Sequence, residues 1–334
     1  MNSYSPVRVG VAGATGYSGV ELLRLLSRHP GAQIVAAMGA PGAEPRHVPS
    51  LRRVWDAPVN GLDIDTLAES ADAVFLALPD HAAAEVAPPL VARGKRVFDL
   101  SGAFRLRDAG LRHRWYPKTP EPATPVVYGL TEHNRDRLRG STLVACAGCY
   151  PTAAILALKP LVAAGLLHTS GAPIIIDAKS GVSGAGKTPT ERTHFSECHG
   201  SLSAYAVFEH RHAVEIEQEL GTAVTFVPHL LPIDRGILET IYATLQHGVD
   251  EAAIRATLHA AYDGSPFVRL TGSDLPEIKH VAHTNFCDIG WRVNADTRQL
   301  VMVVCIDNLV KGAAGQAVQN FNVAFGFDET TGLN

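Results

Sequence analysis

The fold is decided close to the start of the chain, by Val7-Arg8-Val9-Gly10-Val11-Ala12-Gly13-Ala14-Thr15-Gly16-Tyr17-Ser18-Gly19. Its first six residues form a β-branched run typical of a buried strand, and a glycine-rich turn follows. Leucines then recur at helical spacing until His29-Pro30-Gly31 ends the pattern. Strand, turn and helix in this order predict the first unit of a parallel α/β sheet.

The same alternation continues as far as residue 148. We predict four more strands there, at residues 33–37, 73–78, 96–100 and 143–146. Strands that alternate with helical stretches indicate a Rossmann-type, doubly wound parallel sheet.

Beyond residue 149 strands predominate. We predict six of them, at residues 174–176, 224–227, 238–245, 267–270, 286–293 and 300–306, with helices at 213–220 and 251–261. This pattern indicates an α+β domain with one mixed sheet. An apolar helix at 309–325 needs a core to cover, and we expect it to return to the first domain. The predicted domains are therefore 1–148 plus 308–334, and 149–307.

Composition narrows the class of function. Of the 334 residues 46% are hydrophobic and 19% are charged, and the net charge is −4, so nothing favours nucleic acid or a membrane surface as a partner. Met1 to Pro6 lacks a leader pattern, and no apolar run approaches the ~18 residues of a membrane span. Five cysteines, an odd number, argue against a secreted disulfide framework. We therefore expect a cytoplasmic protein.

Glycines at positions 10, 13, 16 and 19 fall across the predicted strand-to-helix turn. Glycine lets backbone N–H groups approach a pyrophosphate at a helix N-terminus. The spacing is GxxGxxG rather than the dinucleotide GxGxxG, so the placement carries the prediction more than the pattern does. We interpret the turn as a nucleotide site.

The residues after the second strand indicate which nucleotide binds. NAD sites usually have a carboxylate ~20 residues after the glycine turn, and residues 36–40 contain none. Arg46, His47, Arg52 and Arg53 follow, and any of them is suited to a 2′-phosphate. NADP is therefore the expected cofactor.

Cys149 lies in Cys146-Ala147-Gly148-Cys149-Tyr150-Pro151-Thr152, where a helix is predicted to begin. Pro151 suits a first helical turn, and apolar residues continue to Leu158. The positive end of the helix dipole favours the thiolate, which is the nucleophilic form. A nucleophilic cysteine beside a nicotinamide site is typical of acyl transfer with hydride transfer to or from a thioester.

Such chemistry needs an acid or base near the sulfur. His212 and Glu215 are three residues apart on the helix predicted at 213–220, so the carboxylate is placed to orient the imidazole. His210 is a second candidate for the same role. The alternative is a pair of solvent-facing histidines at a helix start.

Three loops at strand ends are further candidate site segments: 99–105, which offers Arg105 to an anion, 179–187, and 307–312. Two other interpretations use the cysteines. Cys146 and Cys149 have the spacing of a redox pair, or of half a zinc site completed by His194, Cys198 or His199. A nucleotide-sensing regulator on the same fold is a non-enzymatic alternative.

These motifs together resemble the N-acetyl-gamma-glutamyl-phosphate reductases, the NADPH-dependent enzymes of arginine biosynthesis. The resemblance runs from end to end of the chain, and the matching segments are residues 13–19, 127–130, 148–152, 180–186, 210–215, 226–230 and 307–317. It implies a Rossmann domain plus a substrate domain of the aspartate-semialdehyde and glyceraldehyde-phosphate dehydrogenase type. It also implies NADP(H) as cofactor, no metal, and an acyl phosphate as substrate.

The resemblance also implies site residues. Cys149 becomes the nucleophile, His212 the acid/base and Glu215 its orienting partner. Gly13, Thr15, Gly16 and Ser18 are implied to bind the cofactor's pyrophosphate and ribose, and Ser183, Gly184 and Asn308 to lie along the nicotinamide. Arg105 and Lys187 are our own candidates for the phosphate or carboxylate of the substrate.

The chain departs from the family at two places. Cys146-Ala147 replaces the usual Asn-Pro before the cysteine motif, and Ser101-Gly102-Ala103-Phe104-Arg105 replaces Ser-Ala-Asp-Phe-Arg. An aminoadipyl substrate on a carrier protein is the nearest rival substrate in the wider family. Long apolar strands in the second domain are compatible with a homodimer or homotetramer.

Overall fold

The structure is a computed structural model, and it describes residues 5–171 and 173–333. The chain divides into two compact units. The first contains residues up to Gly148 together with Ala313 onward, and the second runs from Cys149 to Gly312.

The first unit contains a six-stranded parallel sheet, and this confirms the predicted Rossmann-type fold. The strand order is β2-β1-β3-β4-β6-β5. The strands are β1 (Val7–Ala12), β2 (Ala32–Met38), β3 (Ala73–Leu76), β4 (Arg96–Asp99), β5 (Val126–Gly129) and β6 (Leu143–Cys146).

Sequence analysis missed β5. Its four residues form an edge strand that pairs only with β6, after a proline-rich stretch that conceals the pattern. Side chains on the central strands are fully buried, as expected when helices cover both faces of a parallel sheet.

The helices of the first unit are α1 (Tyr17–Leu26), α2 (Ile64–Ser70), α3 (Asp80–Ala92), α4 (Ala109–Trp115), α5 (Thr131–Leu138) and α10 (Gly315–Phe325). A single helix was predicted at 309–325, but a π-helical turn (Val310–Ala314) precedes α10. α10 packs against α1, α5 and the strands β4, β5 and β6. Its Asn320 binds the Gly129 carbonyl at 2.9 Å, which fixes the helix to the sheet edge.

The second unit contains a seven-stranded mixed sheet in the order β11-β12-β13-β10-β7-β9-β8. The strands are β7 (Ile174–Gly181), β8 (Ser203–Ala204), β9 (Val224–Leu231), β10 (Ile237–Thr244), β11 (Val268–Gly272), β12 (Cys287–Asn294) and β13 (Gln299–Ile306). Burial alternates along β7 and β10, so one face of the sheet is fully covered and the other is half-buried.

The α-helices described in this unit are α6 (Cys149–Ala163), α7 (Phe195–Cys198), α8 (Arg211–Leu220) and α9 (Glu251–Tyr262). α6 packs against α8, α9 and the strands β10 and β13. Most of its side chains are apolar and buried, as expected for a helix between packed neighbours, and Lys159 near its end pairs with Glu219. In residues 5–171 and 173–333, helices long and apolar enough for a membrane span are absent.

Candidate active site

The glycine turn of the first unit connects β1 to α1. Gly13 has a φ of +85°, and a Cβ at this position would lie 2.1 Å from the carbonyl oxygen of Ala77. A Cβ on Gly19 would approach the carbonyl oxygen of Gly13 equally closely. Both positions therefore require glycine, and the turn stays open to a ligand's backbone contacts.

Gly16 is the N-cap residue of α1, and it provides no side-chain cap to the first turn. The amides of that turn have no intrahelical carbonyl to bind, so they suit an anionic group at the positive end of the helix. Ser18 lies in the same turn and adds a hydroxyl. These features fit the pyrophosphate of a dinucleotide.

The loop after β2 lies beside this turn. A Cβ on Gly39 would lie 3.9 Å from the side chain of Thr15. Further along, His47, Arg52, Trp55 and the carboxylate of Asp56 line a cavity of about 450 Å³. The loop therefore brings a cation and an aromatic ring to one cavity within the nucleotide-binding unit.

Cys149 is the first residue of α6 in the second unit, as the sequence predicts, and its side chain is half-buried. The helix dipole at this position favours the thiolate over the thiol. Gly312 packs against it, since a Cβ on Gly312 would lie 2.8 Å from the Cβ of Cys149. The π-helical turn containing Gly312 thus forms part of the thiol's surroundings.

Cys146 differs from Cys149 in every relevant property. It ends β6, is 1% exposed, and burial raises its pKa to about 12. A thiol of this kind remains protonated and unreactive. Neither cysteine forms a disulfide bond. The zinc alternative lacks support as well, because no group of three candidate ligands suited to a metal occurs in the described part of the chain.

Five rings surround the start of α6 and are called the ring cluster: Tyr150, Tyr205, His210, His212 and Phe226. The ring of Tyr150 lies 5.8 Å from that of His212, and the rings of His210 and His212 are 4.8 Å apart. Tyr150 is the residue after Cys149 and the second residue of α6. The ring cluster therefore packs the start of α6 against α8. The solvent-facing alternative for the two histidines is therefore wrong.

The two histidines have different roles in α8. His210 is the N-cap, and its Nδ1 accepts a hydrogen bond from the His212 amide at 3.1 Å. Burial, assisted by the charge of Arg211, lowers the pKa of His210 to about 4. His210 is therefore a neutral structural residue near neutral pH. This favours His212 as the proton-transfer group.

Glu215 lies one turn after His212 on α8 and is only 1% exposed. A carboxylate on the same helical face as the imidazole, shielded from water, is suited to orienting it. His212 and Glu215, three residues apart in the sequence, therefore lie on the same face of α8.

Ser183, Gly184 and Asn308 come together in the second unit, although 125 positions separate the first from the last. The Asn308 side-chain amide donates to the Ser183 hydroxyl at 2.9 Å and accepts from the Gly236 amide at 2.7 Å. A Cβ on Gly184 would lie 3.7 Å from Asn308 Nδ2. The three residues form one fixed polar surface.

The two predicted anion ligands differ in exposure. Arg105 is buried, and its guanidinium donates to the carbonyls of Cys146 and Leu100, both at 2.8 Å. It therefore ties together the ends of β4 and β6. Lys187 is exposed, at the end of the loop that follows β7.

Sequence analysis missed several features of this site. Tyr205 gave no signal, and Phe226 was noticed only within the family-matching segment 226–230, because aromatic residues of this kind are usually core residues. Gly312 was noticed only as part of a loop, and its contact with Cys149 depends on the π-helical turn. The available hint in the sequence was Gly312 itself, a glycine directly after Lys311 near the start of the predicted helix.

Comparison with known proteins identifies the family. Residues 8–141 match the model described as "Semialdehyde dehydrogenase, NAD binding domain", and residues 149–308 match "Semialdehyde dehydrogenase, dimerisation domain". The N-acetyl-gamma-glutamyl-phosphate reductase of Pelotomaculum thermopropionicum is 47% identical, over 98% of this chain and 97% of that protein. The enzyme of the same name from Desulforapulum autotrophicum is 43% identical, over 98% of both chains.

Solved structures show the same fold. Aspartate semialdehyde dehydrogenase II from Vibrio cholerae superposes with a TM-score of 0.71 at 16% identity, covering 96% of this chain and 98% of that one. The Candida albicans enzyme, solved with NADP, gives 0.67 at 17% identity over the same shares. With relatives above 40% identity along nearly its whole length, this chain belongs to the N-acetyl-gamma-glutamyl-phosphate reductase family of semialdehyde dehydrogenases.

Proposed function

We propose that this protein is an oxidoreductase that reduces N-acetyl-gamma-glutamyl phosphate to N-acetyl-glutamate 5-semialdehyde, with release of phosphate, in arginine biosynthesis. The observation that carries the proposal is the half-buried Cys149 at the start of α6, where the ring of the next residue, Tyr150, lies 5.8 Å from the ring of His212. The names of the relatives supply the substrate.

The first chemical step belongs to Cys149. Its thiolate attacks the acyl carbon, a C–S bond forms, and the bond from that carbon to the phosphate oxygen breaks. The amides of the first turn of α6 are placed to stabilise the negative oxygen of the tetrahedral intermediate. Pro151 lacks an N–H group, so the amides of Cys149 and Tyr150 are the candidates.

His212 serves the second step. NADPH, when bound, supplies the hydride that reduces the thioester carbonyl. His212 gives a proton to the oxygen that becomes negative, and it takes the proton back when the C–S bond breaks and the aldehyde leaves. Glu215 orients the imidazole and stabilises its protonated form.

For the cofactor, Gly13, Thr15, Gly16 and Ser18 would hold the pyrophosphate and ribose, and the surface of Ser183, Gly184 and Asn308 would hold the nicotinamide. NADP is favoured over NAD by the cavity that Arg52 and His47 line, with Arg46 and Arg53 nearby in the chain. We expect Arg52→Met to weaken NADPH binding roughly tenfold and to leave NADH binding unchanged, because only the former carries a 2′-phosphate. Fluorescence titration of each nucleotide checks this, and equal losses for both would contradict it.

Arg105 and Lys187 are proposed for anionic groups of the substrate, the phosphate or the carboxylate. Lys187 is supported by its exposure on the loop after β7. Arg105 is supported by its charge and its rigid setting, since two backbone carbonyls hold it.

The protein is proposed to act as a cytoplasmic homodimer or homotetramer. The half-buried face of the seven-stranded sheet supports this, because Ile175, Val227 and Tyr242 lie on it. Light scattering of the purified protein distinguishes dimer from tetramer, and a monomer at micromolar concentration would contradict the proposal.

The deciding experiment measures NADPH formation from NADP⁺, phosphate and N-acetyl-glutamate 5-semialdehyde. Activity that requires phosphate and disappears when Cys149 is alkylated supports both substrate and mechanism. Activity only with an aminoadipyl analogue would keep the mechanism and change the substrate. Nucleotide binding without turnover of any semialdehyde would support a sensing role instead.

A further inference from the structure

A cavity of about 800 Å³ adjoins the ring cluster in the second unit. This volume lies within the range of small-molecule sites. Two members of the cluster, Tyr205 and His210, form part of its wall. The polar side chains that complete the lining are the hydroxyls Thr190, Thr193, Ser201 and Ser203 and the charged groups Glu191, Arg192, Glu197 and Arg211.

Tyr205 connects this cavity to the reactive thiol. Its hydroxyl oxygen lies 3.3 Å from that of Tyr150, the residue that follows Cys149. The pKa of Tyr205 rises to about 12, chiefly through burial, and the negative charge of the Cys149 thiolate adds to the rise. A substrate bonded to Cys149 therefore has this cavity beside it.

The arginines lie at the wall nearest the ring cluster. The Arg192 guanidinium lies over the Tyr205 ring, 5.5 Å from its centre, and opposes the rise in that residue's pKa. Arg211 is adjacent to His210 and helps to lower its pKa. Because two carboxylates also line the cavity, recognition of a ligand depends on where these arginines lie and not on net charge.

The backbone between Tyr205 and His210 adopts a left-handed conformation at two residues. Ala206 and Phe208 have φ values of +45° and +63°, although neither is a glycine. Left-handed conformations of such residues are unfavourable and persist where the surroundings enforce them. Both lie between Tyr205 and His210, so the strain fixes the two rings that border the cavity.

We propose that Arg192 and Arg211 bind the α-carboxylate of the substrate and thereby select an N-acylated amino-acid chain over a simple aldehyde. The inference rests on the proposed function and adds the residues that recognise the end of the substrate remote from the acyl phosphate. A guanidinium binds a carboxylate through two parallel hydrogen bonds. The hydroxyls of the lining suit the acetamide group, and the phosphate is left to Arg105 and Lys187.

The test compares two aldehydes in the NADP⁺- and phosphate-dependent direction. N-Acetyl-glutamate 5-semialdehyde carries the α-carboxylate, and 4-acetamidobutanal is the same molecule without it. The variants are Arg192→Met and Arg211→Met, each with its Arg→Lys counterpart. Arg255→Met is the matched control, since Arg255 is exposed on α9 and pairs with Glu251. Alkylation of Cys149 and NADPH titration show that each variant is folded.

We expect the KM for N-acetyl-glutamate 5-semialdehyde to rise roughly 10- to 100-fold in each Met variant, while kcat and the KM for 4-acetamidobutanal change little. The Lys variants retain part of the preference, because they keep the charge but lose the paired geometry. Met variants that still prefer the carboxylate-bearing aldehyde as strongly as the wild type would overturn the proposal. A wild type inactive with both aldehydes would instead overturn the proposed function.

Discussion

The start of α6, the end of β6 and the covered face of β10 hold ionisable side chains in contrasting chemical states. Cys149, at the helix start, is half-buried at the positive end of a dipole, whereas Cys146, three residues earlier, is buried with a pKa raised to about 12. Glu239, on the covered face of β10, is likewise fully buried, and burial raises its pKa well above 4.5. Position relative to helix ends and solvent, rather than residue type, separates reactive groups from inert ones.

The histidines repeat this contrast at the start of α8. His210 uses Nδ1 to cap the helix and has a pKa lowered to about 4, while His212 is the second residue of the helix. Two positions in the sequence therefore separate a structural imidazole from one suited to proton transfer.

Replacing each cysteine by serine tests the contrast between them and gives the largest expected effect. Cys149→Ser is expected to lower kcat by on the order of 10⁴-fold, because the hydroxyl is a far weaker nucleophile, while NADPH binding survives. Cys146→Ser should retain activity within about threefold of the wild type, since its buried thiol takes no part in the chemistry. Steady-state kinetics with nucleotide titration measures both. Comparable activity in the two variants would remove the covalent mechanism.

The histidines provide the next largest effect. His212→Asn is expected to lower kcat roughly 10²- to 10³-fold with little change in NADPH affinity, because it removes the proton-transfer group. His210→Asn is the control, since asparagine also caps helices well and should preserve most of the activity.

The His210→Asn variant also has a distinct pH signature. In the wild type the folded pKa of His210 lies below its ordinary 6.5, so unfolding takes up a proton and stability falls as pH drops from 6.5 towards 4. The variant should lose this part of the pH dependence, as denaturant titrations at several pH values would show. A larger loss of kcat in His210→Asn than in His212→Asn would exchange the two roles.

Gly312→Ala tests how closely the surroundings of Cys149 are packed. The added methyl group would lie 2.8 Å from the Cβ and 3.2 Å from the Cα of Cys149, so the thiol or the π-helical turn must move. We expect kcat to fall roughly 10- to 100-fold, as small displacements of reacting groups do. Gly264→Ala is the control, because a Cβ there meets no atom within 4 Å among the described residues. An unchanged kcat, with an unchanged rate of Cys149 alkylation, would show that the contact has no catalytic consequence.

Glu239→Gln tests whether the buried carboxyl group of Glu239 is protonated in the folded protein. Within the described part of the chain, neither Glu239 carboxyl oxygen has a hydrogen-bond partner. The folded state holds the proton above pH 4.5 and the unfolded state releases it, so wild-type stability falls as pH rises above that value. The neutral amide avoids this loss and should therefore raise the free energy of unfolding at pH 7, by more than it does at pH 5.

Denaturant titrations at pH 5 and pH 7 check the Glu239 prediction, with exposed Glu209→Gln as the control. The difference between Glu239→Gln and wild type should grow with pH. A difference that is independent of pH would mean that Glu239 keeps its charge in the folded protein.

Local patterns in the sequence predicted most of the fold, because strand and helix periodicity reflect burial of one face. β1, β6, α8 and α9 were predicted within two residues of their observed bounds. The edge strand β5 was missed, since four residues beside a proline-rich stretch give too short a pattern to detect. The π-helical turn before α10 was missed because helical periodicity does not distinguish it from an α-helix.

By itself the sequence determined the glycine turn, the cysteine at a helix start and the spacing of His212 and Glu215, since each is set by neighbours within a few residues. Only the tertiary structure decided that burial lowers the pKa of His210, that Gly312 packs against Cys149, and that Tyr205 and Arg192 border a cavity. These features depend on contacts between segments far apart in the chain. Burial and distance, which set the pKa of each group, exist only after those segments have packed together.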